Sequence, residues 1–114
     1  MTIIKTVNLK SDRPTVHQAL QRLDREITGA RQQNHRLLKV IHGYGSTGAG
    51  GDIRIAVQKR LHELVEAGHI AGCVFGEEWS KSSEEVWRML QAHPELKQDP
   101  DLGRRNLGIT IVVL

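Results

Sequence analysis

A single cysteine, Cys73, stands in the apolar run IAGCVF. With no second cysteine to pair with, an intrachain disulfide framework is excluded, and Cys73 reads as a buried, inert thiol. Four Phe, Trp and Tyr residues in 114 are too few for the base-stacking platform of a single-strand-binding protein. No apolar run approaches the roughly 20 residues of a membrane span. MTIIKTVNL lacks the length and cleavage pattern of a signal peptide, so the cytoplasm is the expected compartment and no membrane partner is expected. His17, His35, His62, His69 and His93 are scattered without a ligand spacing such as H-x-x-x-H, so the sequence indicates no metal site and no cofactor.

Charge is present in both signs. The net charge is +3, but residues 1–67 hold eleven Lys and Arg against six Asp and Glu, and residues 68–114 hold five against seven. A basic first half suits contact with phosphates. Length and composition fit one domain over residues 1–114.

Periodicity orders the chain as β-α-β-α-β-(α)-β. TIIKTVNL, residues 2–9, is a strand rich in β-branched residues. Ser11 or Asp12, followed by Pro14, opens a helix whose Val16, Leu20, Leu23, Ile27 and Ala30 form one apolar stripe running to about Gln33. LLKVI, residues 37–41, is a second strand. Asp52 serves as N-cap of a second helix, with Ile53, Val57, Leu61 and Leu64 on one face and Gly68 closing it. Residues 70–75 form a third strand. A short helix through Val86 and Leu90 follows the capping-box match Ser82-Ser83-Glu84-Glu85 and stops before Pro94. Ile109 to Leu114 is almost unbroken β sequence, and a terminal strand so apolar belongs inside a sheet. Four strands with two long helices on one face predict a two-layer α/β sandwich, with early strands parallel and the short helix at the edge or on the far side.

Between the second strand and the second helix lies His42-Gly43-Tyr44-Gly45-Ser46-Thr47-Gly48-Ala49-Gly50-Gly51. A phosphate loop of the nucleotidase kind needs Lys where Ala49 stands. A dinucleotide fold needs an acidic residue at the end of the next strand, but about 20 residues on the chain is still helical, at Glu63 and Glu66. A hydrolase elbow around Ser46 needs Gly where Tyr44 stands. Anion binding survives: backbone N–H groups of a glycine loop and a helix start converge on a phosphate, and glycine lets a nucleic-acid backbone approach. Ser46 and Thr47 add hydroxyls. The plainer alternative is a flexible connection with capping residues, yet five glycines in nine residues exceed what a connection needs.

His42-Gly43-Tyr44-Gly45-Ser46-Thr47-Gly48, with Thr47-Gly48-Ala49-Gly50, resembles the H-G-x-G and T-G-x-G loop of the small MutS-related (Smr) domain. The ending Asn106-Leu107-Gly108-Ile109-Thr110-Ile111-Val112-Val113-Leu114 resembles that family's final G-x-T-x-V-x-L strand, and residues 77–105 form a longer insertion than the shortest members carry. The resemblance implies a βαβαββ fold with a four-stranded mixed sheet, like the C-terminal domain of the third bacterial translation initiation factor, here with a short extra helix before the last strand. It also implies nucleic-acid binding and, in some members, DNA nicking or RNA cleavage in the service of DNA repair, recombination or RNA quality control. Members with nuclease activity carry an L-D-L-H-G-type motif after the first strand, where this chain reads Val7-Asn8-Leu9-Lys10-Ser11. Asn8 cannot act as a base, and a lysine with an ordinary pKa near 10.4 is a poor one at neutral pH. Lys10 can still hold a phosphate, so binding transfers better than catalysis.

The expected partner is therefore a DNA or RNA backbone, held by Gly43, Tyr44, Gly45, Ser46, Thr47, Gly48, Gly50 and Gly51 with Lys10, Arg13 and Arg54. Arg104 and Arg105 either reach the same phosphates or form an ordinary basic turn. His42 is the candidate general acid/base, with an ordinary pKa of about 6.5 suited to that work; alternatively its ring bonds across the loop. Glu77 and Glu78 read as a solvated turn or, less simply, a cation site. A non-catalytic adaptor whose loop binds a protein or a small anion is the competing reading.

Overall fold

The computed structural model describes residues 4–44 and 50–114. Its elements are β1 (Ile4–Asn8), α1 (Val16–Gln32), β2 (Leu37–Ile41), α2 (Gly50–Glu66), β3 (Gly72–Phe75), α3 (Glu84–Ala92) and β4 (Ile109–Val113). Short 3₁₀ turns at Gly76–Glu78 and Pro94–Gln98 flank α3. The four strands form one mixed sheet in the order β1-β2-β4-β3. β1 and β2 are parallel, and β4 is antiparallel to both β2 and β3, so the three early strands run the same way. β4 lies between β2 and β3, as its apolar sequence requires: an interior strand is covered on both faces.

Period-two alternation sends successive side chains to opposite faces of the sheet. Val7, Leu38, Val40 and Val112 meet Ala19, Leu23, Ile27 and Ala30 of α1 and Ile53, Val57 and Leu61 of α2. Leu37, Val74, Ile109 and Ile111 face the other way and meet Trp79, Val86, Leu90 and Leu96. The two long helices thus share one face, while α3 and the Pro94–Gln98 turn cover part of the other. The far side is the place the short helix takes, and Trp79, with no exposed surface, is the largest side chain beneath that cover.

Helix starts differ in detail from the sequence reading. Asp12 and Arg13 have φ of 66° and 48°, a left-handed backbone that no helix accommodates. The N-cap of α1 is Thr15, whose hydroxyl accepts from the Gln18 amide at 3.1 Å while the Gln18 side chain accepts from the Thr15 amide at 2.9 Å. Asp52 lies inside the first turn of α2, where a carboxylate still favours the positive end of the helix dipole. Ser83 rather than Ser82 caps α3, accepting from the Val86 amide; Ser82 is tied to Ser80 instead. β3 begins at Gly72, two residues later than the sequence pattern predicts.

The middle of β2 holds a charge. Lys39 points to the far face in register with Ile111 and is 8% exposed. Its Nζ donates to Asp99 Oδ1 at 2.7 Å and to Asp101 Oδ2. Trp79 Nε1 donates to Asp99 Oδ2 at 2.9 Å. Burial works to lower the Lys39 pKa, but the bonds to Asp101 and Asp99 outweigh it and hold the ammonium above its ordinary value. Asp101 is held below the usual carboxylate value, first by its bond to Lys39 and then by that to Asn106. The segment after α3 is thereby fastened to the centre of the sheet.

The sign of each shift fixes a pH dependence. The depressed Asp101 contributes stability above its unfolded pKa and loses it as pH falls through the lower folded value. The raised Lys39 contributes below its unfolded pKa and loses it as pH rises past the folded one. Lys39→Met removes the only cation bonded to Asp99 and Asp101 among the described residues, and breaking a buried pair in this way costs about 3–5 kcal/mol. Urea unfolding should show that loss at neutral pH. The variant should also lose less stability than the wild type on acidification, because the Lys39 bond that depresses the Asp101 pKa is gone. The wild type should lose stability below about pH 4.

Candidate nucleic-acid interface

Sheet topology brings the sequence motifs to one edge. β1, β2 and β3 end there and the antiparallel β4 begins there, with Asn8 opposite Ile41, Ile41 opposite Ile109 and Phe75 opposite Thr110. The segments after β1, after β2, after β3 and before β4 therefore converge beside the start of α2. In open α/β sheets this carboxyl edge of the parallel strands is where ligands are bound.

His42 is the hub of that edge. Its amide and that of Gly43 both donate to the carbonyl of Gly108, at 3.0 and 3.1 Å. Its ring lies 2.7 Å from the Gly43 carbonyl through Nδ1 and 2.9 Å from Thr110 Oγ1 through Nε2. A carbonyl only accepts, so Nδ1 carries the proton, and Nε2 of the neutral ring accepts from the threonine hydroxyl. Burial lowers the His42 pKa below 6.5; the Gly43 carbonyl works against this, Arg54 adds to it, and Glu77 opposes it. With 1% of its surface exposed and both nitrogens bonded, His42 holds the base of the loop to β4. Residues quoted separately from the two ends of the motif, His42 and Thr110, are hydrogen-bonded partners.

Gly43 has φ of 75°, a conformation that favours glycine. A Cβ placed on it would lie 3.8 Å from Cδ of Lys10, so the lysine stem runs beside the open side of Gly43. Asn8 turns its side chain back along the chain: Oδ1 accepts from the amides of Lys10 at 2.9 Å and Ser11 at 3.2 Å. That turn, an Asx motif, is what aims Lys10 toward the loop. Arg22, which the sequence reading passed over, donates to the Asn8 carbonyl at 3.4 Å. Lys10, Arg13 and Tyr44 are exposed.

Arg54 is not a free cation. It pairs with Glu77, which also takes a hydrogen bond from Gln58 at 3.5 Å, so Glu77 is an ion-pair partner rather than a solvated turn residue. Arg105 lines a cleft of about 410 Å³ with Glu77, Glu78 and Glu85. Arg104 is exposed and its charge acts on Asp101. Gly51 is half-buried in the first turn of α2, which begins at Gly50. Gly45, Ser46, Thr47 and Gly48 lie outside the described residues. Among the described residues no group of three or more His, Cys, Asp or Glu side chains could hold a metal ion, and no helix is long and apolar enough to cross a membrane.

A second glycine shapes the edge. A Cβ on Gly76 would run into the backbone carbonyl of Asn106 and come within 2.8 Å of that of Ile109. No sequence pattern announced this, because the approach is between segments 30 residues apart.

The architecture is thus an α/β domain whose mixed sheet brings His42, Gly43 and the start of α2 to the carboxyl edge of its parallel strands. It is the fold of an Smr domain. The chain superposes on the crystal structure of the Smr domain of Thermus thermophilus MutS2 with a TM-score of 0.59 and 22% sequence identity, covering 96% of each chain. No protein-family model matches the sequence, and no curated protein does.

Thr110→Val should leave Nε2 of His42 buried without a donor, at a cost of about 1–3 kcal/mol. Chemical denaturation measures the loss. In the wild type, the His42 ring should titrate by NMR below its ordinary value. Since the unfolded ring binds a proton more readily, stability should fall as pH drops through about 6.5 toward the folded pKa.

Proposed function

We propose that this chain is a nucleic-acid-binding domain that grips the phosphate backbone at the carboxyl edge of its sheet. The observation that carries the reading is the placement of exposed Lys10 beside Gly43, on a loop base that His42 fixes to β4. A cation next to backbone free of Cβ is what close approach of a phosphate requires. The exposed ring of Tyr44 adds a face on which one base stacks. The proposal extends to a cytoplasmic protein acting as one domain over residues 1–114.

The reading stops at binding. DNA nicking, RNA cleavage and repair are what the family resemblance implies, and they need a group able to move a proton at the substrate. His42 has both nitrogens engaged away from solvent, and Asn8 spends its carbonyl oxygen on the turn. The function argued for is recognition without cleavage by His42.

Affinity for a short duplex and for a structured RNA, measured across a salt series, tests this. The logarithm of the association constant should fall with the logarithm of salt, by about 0.9 per phosphate contacted on duplex DNA. Lys10→Ala should weaken binding of all sequences alike and reduce that slope by about one contact. Binding that ignores salt and the Lys10 substitution would contradict the proposal and favour a protein-binding adaptor.

A further inference from the structure

The motif that ends the chain contains a side chain with a second task. Asn106 Oδ1 accepts from the Gly108 amide at 2.8 Å, and Nδ2 donates to Asp101 Oδ1 at 3.0 Å. Asp101 is bonded to Lys39 in the middle of β2. The carbonyl of Gly108 in turn receives the amides of His42 and Gly43. A continuous path of hydrogen bonds therefore runs from the centre of the sheet's far face, through the segment between α3 and β4, to the base of the glycine loop.

We propose that Asn106 is a positioning residue for the glycine loop, setting through Gly108 where Gly43 and its neighbours meet a phosphate. The proposal rests on the nucleic-acid reading above and adds a residue that touches no ligand itself. Its physical basis is that Asn106 is gripped from both sides. Its own carbonyl closes over Gly76, leaving no room for a Cβ there, and its side-chain oxygen lies 3.1 Å from where a Cβ of Gly108 would sit. Gly108 in turn lies against Gly43: a Cβ on it would stand in van der Waals contact with Gly43, 3.4 Å from its Cα. A shift of Asn106 is therefore transmitted to Gly43 through the Gly108 amide that Asn106 holds and the two hydrogen bonds that the Gly108 carbonyl accepts. Positioning matters because oriented backbone N–H groups bind an anion only when they converge on it.

The role predicts a local signature. Asn106→Ala removes both side-chain bonds while leaving the buried apolar residues of β4 untouched. Loss of one net hydrogen bond corresponds to about fivefold in an opening equilibrium. Amide hydrogen exchange at His42 and Gly43 should quicken by about that factor, with Ile111 and Val112 unchanged, and duplex affinity should fall by a similar factor. Asn106→Ser retains an acceptor two residues before Gly108, a turn that serine also makes, and should restore most of the protection and affinity.

Exchange at His42 and Gly43 that is unaltered in Asn106→Ala, or that rises equally at Ile111, would overturn the proposal. Faster exchange at the loop base with unchanged affinity would overturn it as well, since the loop would then be displaced without consequence for binding. A wild-type protein that binds neither duplex nor RNA is a different result: it removes the functional reading itself. Affinity of the wild type and exchange in the variant are measured separately, so the two failures are told apart.

Discussion

One carbonyl, that of Gly108, accepts the amides of both His42 and Gly43, and the arrangement of the whole carboxyl edge depends on it. The convergence is possible only because β4 is antiparallel: its first residue must lie where β2 ends. A parallel fourth strand would deliver its start to the opposite edge and leave the loop without an anchor. The buried His42–Thr110 bond adds a side-chain tie to the same two segments. Three stretches far apart in sequence thus become one surface, with the turn after β1 contributing Lys10 to it.

The far face pursues a different physical solution. A lysine in the middle of an interior strand is costly to desolvate, and two carboxylates receive it, one of them also held by the Trp79 indole N–H. This network and the burial of Leu96 together hold the segment after α3 against the sheet. The same bonds lead on through Asn106 to the loop base, so the electrostatics of one face and the geometry of the edge are linked.

Much of the fold was legible because apolar periodicity is imposed by burial. LLKVI and ITIVV read as strands, and the interior place of the last strand followed from its almost unbroken run of apolar and β-branched residues. The long helices were legible from their stripes. Cap identities were not: several Ser, Thr and Asp residues precede each helix, and the left-handed turn at Asp12 and Arg13, which moves the start of α1 to Thr15, has no sequence signature. The buried Lys39 carried a signal that could have been used. A lysine at an inward position of an apolar strand demands an acid, and the DPD of residues 99–101 supplies two. Gly76 and Asn106 carried none, because their importance arises from backbone approach between distant segments. At the candidate interface, the motif drew attention to Gly43 and Lys10, which the structure sets side by side. The pairing of Arg54 with Glu77 was not legible, since α2 and the turn after β3 meet only in three dimensions.

The central claim is that the carboxyl edge of the sheet is the surface that meets nucleic acid. Amide chemical-shift mapping of the whole chain, titrated with a short duplex at low salt, tests it most directly. The claim predicts perturbations concentrated at residues 8–13, 42–54 and 104–110. The opposite end of the sheet, where Arg31, His35 and Arg36 line an open cleft of about 490 Å³, should stay silent. Perturbations centred on that opposite cleft, with the loop unmoved, would contradict it.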